Sequence, residues 1–229
     1  MRQSDWDTVR ALPLFRDMSG DNFREITNAA APRHFPQRVA LITEGSLPDF
    51  LHVVINGSVE MFCTHDGHET TIDIIRPVTA FVLAPVVRDD VYLSSVRTLT
   101  AAQILLIPAQ SVRDAFDRDS GFARAIANEL VDQYRSVVRS LKNEKLRTGT
   151  ERLANWILRT GTLQGDQRTI ELPFEKRTLA SSLGMTPENL SRSLARLTHY
   201  GVRSSGRDIV IEDSLALECF AKPNALIDG

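Results

Sequence analysis

Residues 175–200 read EKRTLASSLGMTPENLSRSLARLTHY. Within them, Ala180, Gly184 and Leu190 follow one another at intervals of four and six residues. A small residue lets two helices cross closely, glycine accepts the positive φ of a tight turn, and leucine fills the space between the helices. An ordinary helical hairpin also has small residues at its turn, but the spacing here is typical of a helix-turn-helix.

The second helix of this motif carries its own start signal. Thr186 is a good N-cap, Pro187 suits the first helical position, and the acidic Glu188 is favourable in the first turn. The leucines that recur at helical spacing predict the buried face: Leu190, Leu194 and Leu197. The side chains predicted to lie at or near the outer face are Glu188, Asn189, Ser191, Arg192, Ser193 and Arg196.

This outer face has the chemistry of a DNA recognition helix. A rigid helix with a polar N-terminal half can enter the major groove, where arginine bonds guanine bidentately and glutamate accepts from cytosine. Residues 202–211 follow with SSGRD at 204–208 and then IVI, which predicts a β-hairpin wing. Contacts with the DNA backbone, which position a protein without specifying sequence, are expected from Lys176, Thr186, Arg196, Arg203 and Arg207.

Charge is unevenly distributed along the chain. The 229 residues carry a formal net charge of −2, which alone does not indicate nucleic acid. The segment from Lys176 to Arg207, however, holds six basic residues and one acidic residue, Glu188, for a local net of +5. A solvated basic face is the alternative to a DNA-binding surface.

Composition excludes several other classes of protein. The hydrophobic content of 42% is that of a globular protein, and no apolar run is long enough to cross a bilayer. The acidic start MRQSDWD is unlike a secretory signal, so we expect a cytoplasmic protein without a membrane partner. The two cysteines, Cys63 and Cys219, are too few and too distant for a disulfide scaffold or a clustered zinc site. We expect no metal site.

The N-terminal half predicts an antiparallel β-roll. Short β-type runs at 39–43, 50–55, 58–63, 70–75 and 102–107 are separated by turn residues. Asn56-Gly57 and Asp66-Gly67 stand between such runs, and Asn-Gly and Asp-Gly are strong hairpin signals.

A long helical pattern from 120 to 146 follows the roll. Its apolar positions step by four, four, three and four residues, which keeps one narrow stripe on one side: Ile126, Leu130, Tyr134, Val137 and Leu141. We interpret this stripe as a dimer seam of coiled-coil type; a helix packed on its own domain is the alternative. The predicted domains are a sensor roll at 1–119, a dimerisation helix and hinge at 120–147, and a winged helix-turn-helix at 148–229, an α+β fold.

With this organisation, the whole chain resembles the CRP/FNR family of bacterial transcription regulators. The most specific stretch is ENLSR at 188–192, preceded by GMTP, which is similar to the Glu-x-x-Ser-Arg signature of the FNR branch. The cAMP-responsive branch instead has Arg where Pro187 stands and Gly where Ser191 stands. The resemblance implies Glu188, Ser191 and Arg192 as base readers and a TTGAT-type inverted repeat as the site. It also implies a homodimer on double-stranded DNA and RNA polymerase as a partner.

The same resemblance argues against two familiar signals. In the cAMP-responsive branch a Gly-Glu pair holds the ribose and an Arg-Ser pair the phosphate. Here, Tyr92 and Leu93 occupy the Arg-Ser positions, and the Gly-Glu region reads PVTAFV at 77–82. An anion would lack a charged partner, so we expect no cAMP binding. The cysteine quartet of the FNR iron–sulfur cluster is also missing.

The effector pocket is instead predicted to be apolar, lined by Phe81, Leu83, Pro85 and Tyr92. It resembles the subgroup linked to nitric oxide and denitrification, which implies haem as a candidate cofactor. Candidate axial ligands are His34, His52, His65, His68 and Cys63. A small apolar effector, or none, is the alternative, and each of these residues also has an ordinary structural explanation.

An effector would act by favouring one arrangement of the dimer over another. A small-molecule or haem-binding sensor whose C-terminal domain contacts protein rather than DNA is the alternative function. We expect no catalytic residues, because no nucleophile–base motif and no phosphate-binding loop is present in the sequence.

Overall fold

Two antiparallel four-stranded sheets form the body of the N-terminal half. The structure, a computed structural model, describes residues 3–163 and 168–229 and forms two units, one ending at Tyr134 and the other beginning at Arg135. The strands of the first unit are β1 (Ala31–Phe35), β2 (Ala40–Ile42), β3 (Phe50–Asn56), β4 (Val59–His65), β5 (His68–Ile75), β6 (Thr79–Phe81), β7 (Ser95–Thr98) and β8 (Ala102–Pro108). One sheet has the order β1-β8-β3-β6 and the other β2-β7-β4-β5. The predicted antiparallel roll is confirmed.

Three helices precede the strands of the roll, one lies between β6 and β7, and two follow β8. They are α1 (Gln3–Ala11), α2 (Pro13–Arg16), α3 (Gly20–Ala29), α4 (Leu83–Arg88), α5 (Ala109–Arg118) and α6 (Ser120–Leu146). Because successive strand residues point to opposite faces, Val53 and Val54 of β3 enter different cores. Val54 packs between the sheets with Val59 and Ile104, whereas Val53 packs on the side covered by helices.

The two glycine turns behave differently. Asp66-Gly67 joins β4 to β5 with both residues at positive φ, and His65 pairs with His68 across it, so this hairpin is confirmed. The hairpin predicted at Asn56-Gly57 is wrong, because β3 and β4 belong to different sheets. Gly57 instead makes the corner between them, where a Cβ would collide with the Ala101 carbonyl.

The predicted effector pocket does not form as one site. Phe81 and Tyr92 are buried in the core between the sheets, whereas Leu83 is buried in the core beneath the helices and Pro85 is only half-buried. The prediction that these four side chains line one pocket is therefore wrong. The apolar run that suggested it is the end of β6 and the start of α4, whose side chains fill two cores.

The long helix has the predicted bounds, but part of its apolar stripe is buried and part is exposed. Ile126 is completely buried in the core of the first unit together with Phe122, and Leu130 packs against the same core. Ile126 therefore cannot belong to a dimer seam, and that part of the prediction is wrong. The large apolar side chains that α6 leaves exposed are Val131, Tyr134, Val137, Val138 and Leu141.

The second unit contains a group of helices and a small sheet. After the end of α6 come α7 (Gly149–Leu163), β9 (Thr169–Glu171), α8 (Lys176–Ser182), α9 (Pro187–Leu197), β10 (Val202–Ser205), β11 (Asp208–Ile211), α10 (Ser214–Ala221) and α11 (Ala225–Asp228). The sheet has the order β10-β11-β9. Its β10–β11 hairpin is the predicted wing, and β9 is a third strand that was not predicted.

No helix in the described ranges combines the length and the apolar character needed to span a bilayer.

Candidate nucleic-acid interface

The helix-turn-helix is built from α8 and α9. Ala180 is completely buried at the crossing, and Gly184 adopts φ +61°, a left-handed conformation that favours glycine. The Met185 N–H donates to the Ala180 carbonyl at 3.0 Å, which closes the turn. The leucine face of α9 is buried as predicted: Leu190, Leu194 and Leu197.

The start of α9 is capped in the predicted way. The Asn189 N–H donates to Thr186 Oγ1 at 3.2 Å, and Pro187 occupies the first turn. The Thr186 hydroxyl and the backbone N–H of Glu188 lower the pKa of the Glu188 carboxyl. Glu188 is therefore an ionised, exposed acceptor at the end of the helix that would enter a groove.

Of the side chains expected on the outer face of α9, all but one are exposed. Glu188, Ser191, Arg192 and Arg196 are exposed, as is Asn189. Ser193, in contrast, is buried, and its hydroxyl lies 3.1 Å from Thr150 Oγ1 of α7. Its prediction as an outer residue is wrong, because α7 packs across that edge of α9.

A polar cleft of about 350 Å³ opens beside the recognition helix. Its walls come from the start of α7, the turn after α8 and the inner edge of α9: Gly149, Thr150, Arg152, Gly184, Met185, Asn189, Arg192, Ser193 and Arg196. Two of its lining side chains are exposed cations of α9, Arg192 and Arg196. Thr150 and Arg152 are not among the residues predicted at the interface from the sequence.

Arg152, which lines this cleft, donates hydrogen bonds to backbone carbonyls on two segments. Its Nε donates to the Leu183 carbonyl at 2.8 Å and one Nη to the Gly184 carbonyl at 3.2 Å. The other Nη donates to the Arg147 carbonyl at 3.0 Å, near the end of α6. One guanidinium therefore holds the turn of the motif against the link between α6 and α7. The signal in the sequence is the capping box Thr148–Glu151, which marks the start of α7 just before Arg152.

The wing carries the remaining basic residues. Val202 pairs with Ile211 and Ser205 with Asp208, so Gly206 and Arg207 form an exposed tip. Two of the residues expected at the DNA backbone have partners within the domain: Lys176 Nζ donates to Ser204 Oγ at 2.8 Å, and Arg203 pairs with Glu212 at 2.8 Å.

The candidate haem ligands differ in their exposure. His34, His65 and His68 are exposed, and burial together with nearby Glu44 raises the pKa of the half-buried Cys63 thiol. His52 alone among these histidines is buried. Its ring lies 5.4 Å from that of Phe81, and burial lowers its pKa to about 4. The described residues contain no group of three or more His, Cys, Asp or Glu side chains arranged to hold a metal ion.

Two family models match the chain at the two units just described. Residues 32–119 match the cyclic nucleotide-binding domain, and residues 151–220 match the Crp-like helix-turn-helix domain. Together these matches cover more than half of the chain.

Similar proteins agree with both matches. The transcriptional activatory protein AadR of Rhodopseudomonas palustris is 23% identical over 194 residues, which cover 82% of this chain and 80% of that protein. The structure of FixK2 from Bradyrhizobium japonicum is similar with a TM-score of 0.75 at 20% identity, covering 86% of this chain and 99% of FixK2. A protein of the CRP/FNR family from Eubacterium rectale is similar with a TM-score of 0.73 at 18% identity, covering 93% and 99% of the two chains. The chain belongs to the CRP/FNR family of DNA-binding transcription regulators.

Proposed function

We propose that this regulator is a homodimer that recognises an inverted repeat of TTGAT-type half-sites. The observation that carries the proposal is the exposed N-terminal half of α9, where Glu188, Ser191 and Arg192 stand free of the domain core. Arginine and glutamate in this position discriminate bases through the donor and acceptor pattern of the major groove. The identity of the half-site comes from the resemblance of ENLSR to the FNR branch.

The exposed face of α6 supports the dimer. Val131, Tyr134, Val138 and Leu141 step by three, four and three residues, the spacing of a coiled-coil seam. All four are large apolar side chains that the chain leaves exposed. This seam differs from the predicted one by losing Ile126 and Leu130 and by gaining Val131 and Val138, while Val137 lies at its edge.

The wing and the cleft supply contacts with the DNA backbone in this proposal. Arg207 at the wing tip and Arg196 beside the cleft are exposed cations. Contacts with phosphates fix the register of the protein and make binding sensitive to salt. Lys176, Arg203 and the Thr186 end of α9 complete the set expected at the backbone.

The signal at the roll is proposed to be something other than cAMP. Tyr92 is buried in the core between the sheets and Leu93 is largely exposed, so neither position offers a cation to a phosphate. The arginine of β7, Arg97, is already bonded to Glu60 and Glu69. A cyclic nucleotide phosphate would lack a charged partner there.

RNA polymerase is an expected partner if the protein activates transcription. We place the protein in the cytoplasm on the basis of its proposed work on DNA.

A fluorescence-anisotropy titration tests the central claim. The full-length protein is titrated against a TTGAT-N4-ATCAA duplex and a scrambled duplex at the same salt concentration. We expect a clear preference for the palindrome, within the roughly 10³-fold or greater range typical of specific over non-specific binding. Equal affinity for both duplexes would overturn the assignment of the half-site, and no salt-sensitive binding to either would favour contacts with protein instead.

A further inference from the structure

The chain continues past residue 220, where the match to the Crp-like helix-turn-helix domain ends. After α10, Lys222 takes a left-handed conformation, and the short helix α11 follows. Two hydrogen bonds form within this segment. Asn224 Oδ1 accepts from the Leu226 N–H at 2.8 Å, and the Asn224 N–H donates to Asp228 Oδ2 at 2.7 Å. The Asp228 carboxylate is thereby held in one orientation.

Asp228 meets Arg147 in a two-bond ion pair. The Arg147 guanidinium donates to the two oxygens of Asp228 at 2.6 and 2.7 Å, and its side chain is only 8% exposed. Burial alone would raise the pKa of Asp228, but the hydrogen bonds from Arg147 and from the backbone at Asn224 lower it. A bidentate pair between arginine and carboxylate fixes direction as well as distance.

Arg147 occupies the short link between α6, which ends at Leu146, and α7, which begins at Gly149. The same segment of the chain also contacts both helices that the link joins. Lys142 Nζ of α6 donates to the Leu226 carbonyl at 3.1 Å, and Asn155 Nδ2 of α7 donates to the Ala221 carbonyl at 2.8 Å. Residues 221–228 therefore bridge the link from end to end.

Arg152 makes a second set of contacts with the link. The carbonyl of Arg147 accepts from Arg152, whose remaining donors hold the Leu183 and Gly184 carbonyls of the helix-turn-helix. A continuous path of charged hydrogen bonds thus runs from Asp228 through the link to the turn that precedes α9. Both arginines therefore lie on the path of hydrogen bonds that joins the link to the turn before α9.

We propose that residues 221–228 form a brace that fixes the orientation of the recognition helix relative to the last turns of α6 through the Arg147–Asp228 pair. The inference rests on the proposed recognition of an inverted repeat by a dimer. Two recognition helices must enter major grooves about one helical turn apart, so the angle at this link decides which spacing of half-sites is accepted. Asp228 is thus a positioning residue that touches no base.

Asp228→Asn tests the brace, because it removes the charge and one acceptor while keeping the size of the side chain. Glu218→Gln is the matched control, since it removes the same charge from the exposed face of α10. Hydrogen–deuterium exchange of the free, full-length protein is measured at the amides of residues 147–152. We expect exchange about tenfold faster in Asp228→Asn and unchanged exchange in the control.

Binding to DNA gives the second measurement. Each protein is titrated with the TTGAT-N4-ATCAA duplex and with duplexes whose spacer is one base pair shorter or longer. The ratio of the affinity for the N4 duplex to the affinity for the altered spacers should fall about tenfold in Asp228→Asn. The affinity for a single half-site should be unchanged. Arg147→Lys keeps the charge but loses the two-bond geometry, so it should relax the spacing in the same way, even if Asp228→Asn folds poorly.

Unchanged exchange and an unchanged spacer preference would overturn the brace. A uniform rise in affinity for all duplexes would also overturn it, because removing an acidic charge near DNA has that effect without any change in geometry. If the wild-type protein shows no preference for the palindrome, the proposed half-site fails, and the exchange comparison alone then decides whether the brace exists.

Discussion

Arg192 and Asn189 are joined by a hydrogen bond on the exposed face of the recognition helix: an Nη of Arg192 donates to Asn189 Oδ1 at 2.6 Å. The two residues are three positions apart, so their side chains lie one above the other on the helix. The bond uses one of the five donors of the guanidinium and leaves the others free. Asn189 therefore restrains the side chain that is proposed to read a guanine.

Arg192→Ala should weaken binding to the palindrome by about 1–3 kcal/mol and relax the preference at the guanine of each half-site. The loss reflects a bidentate contact with the O6 and N7 atoms of guanine. Anisotropy titrations against duplexes with a single substituted base pair measure both effects. An unchanged preference at the guanine would remove Arg192 from base reading.

Asn189→Ala should reduce discrimination at the same base pair by a smaller amount, because Arg192 remains but loses its restraint. The control is the same substitution in an Arg192→Ala background, where it should have no further effect on that base pair. Additive losses in the double variant would mean that Asn189 contacts DNA independently of Arg192.

Arg207→Ala at the wing tip should weaken binding to all duplexes alike and reduce the salt slope by about one. Arg207 is exposed and its position suits a phosphate rather than a base. Titrations at several salt concentrations give the slope for the palindrome and for a scrambled duplex. Arg24→Ala, which removes an exposed arginine from α3, should leave both slopes unchanged, and a loss confined to the palindrome would contradict the wing assignment.

Leu141→Glu should give a monomer that binds the palindrome poorly, because a charge in the proposed seam has no partner in the dimer. Sedimentation velocity measures the oligomeric state directly. Ser136→Glu places the same charge on the opposite side of α6 and should leave the dimer intact. A dimer that persists in Leu141→Glu would place the interface elsewhere.

Asp119 joins the start of α6 to the start of α3. Asp119 Oδ1 accepts from the Phe122 N–H at 2.9 Å, and Oδ2 accepts from the Ser19 N–H at 2.9 Å and from Asn22 Nδ2 at 2.8 Å. The bond from the Asn22 side chain, opposed by burial and aided by the two N–H groups, holds the pKa of Asp119 well below its usual range. The ionised carboxylate is therefore the form that the folded state prefers.

Asp119→Asn should lower the free energy of unfolding at neutral pH by about 1–3 kcal/mol. Since the pKa is depressed in the folded state, this stabilisation is complete above the ordinary aspartate pKa of about 4 and is lost as the pH falls below it. The difference between wild type and variant in thermal unfolding should therefore shrink in acid. Asp117→Asn, an exposed neighbour, serves as the control, and a difference that does not depend on pH would contradict the assignment.

Local signals predicted most of the DNA-binding domain. The cap at Thr186, the turn at Gly184 and the leucine face of α9 each depend on residues within one or two helical turns. The same holds for the bounds of α6 and for the hairpin at Asp66-Gly67. In each case residues close in sequence provide the hydrogen bonds and turn conformation of the backbone or define the apolar face. The local pattern is therefore enough to predict the element.

The errors all involve contacts between distant parts of the chain. Asn56-Gly57 has the signal of a hairpin, but the pairing of β3 with β8 and of β4 with β7 makes it a corner between sheets. Ile126 belongs to the helical stripe, yet it fills the core of the roll, and Ser193 is covered by α7. Periodicity shows which side chains are apolar, and it does not show which surface covers them.

The sequence thus contained the family resemblance, the recognition helix and the order of the elements, because these follow from short-range backbone preferences and side-chain periodicity. Only the tertiary structure shows which apolar positions of α6 remain exposed. It also shows where the C-terminal segment packs. Arg147 and Asp228 are 81 residues apart, and no local pattern links them. Their contact exists because α10 packs against α7 and brings the segment after α10, with the Asp228 carboxylate, within reach of the Arg147 guanidinium.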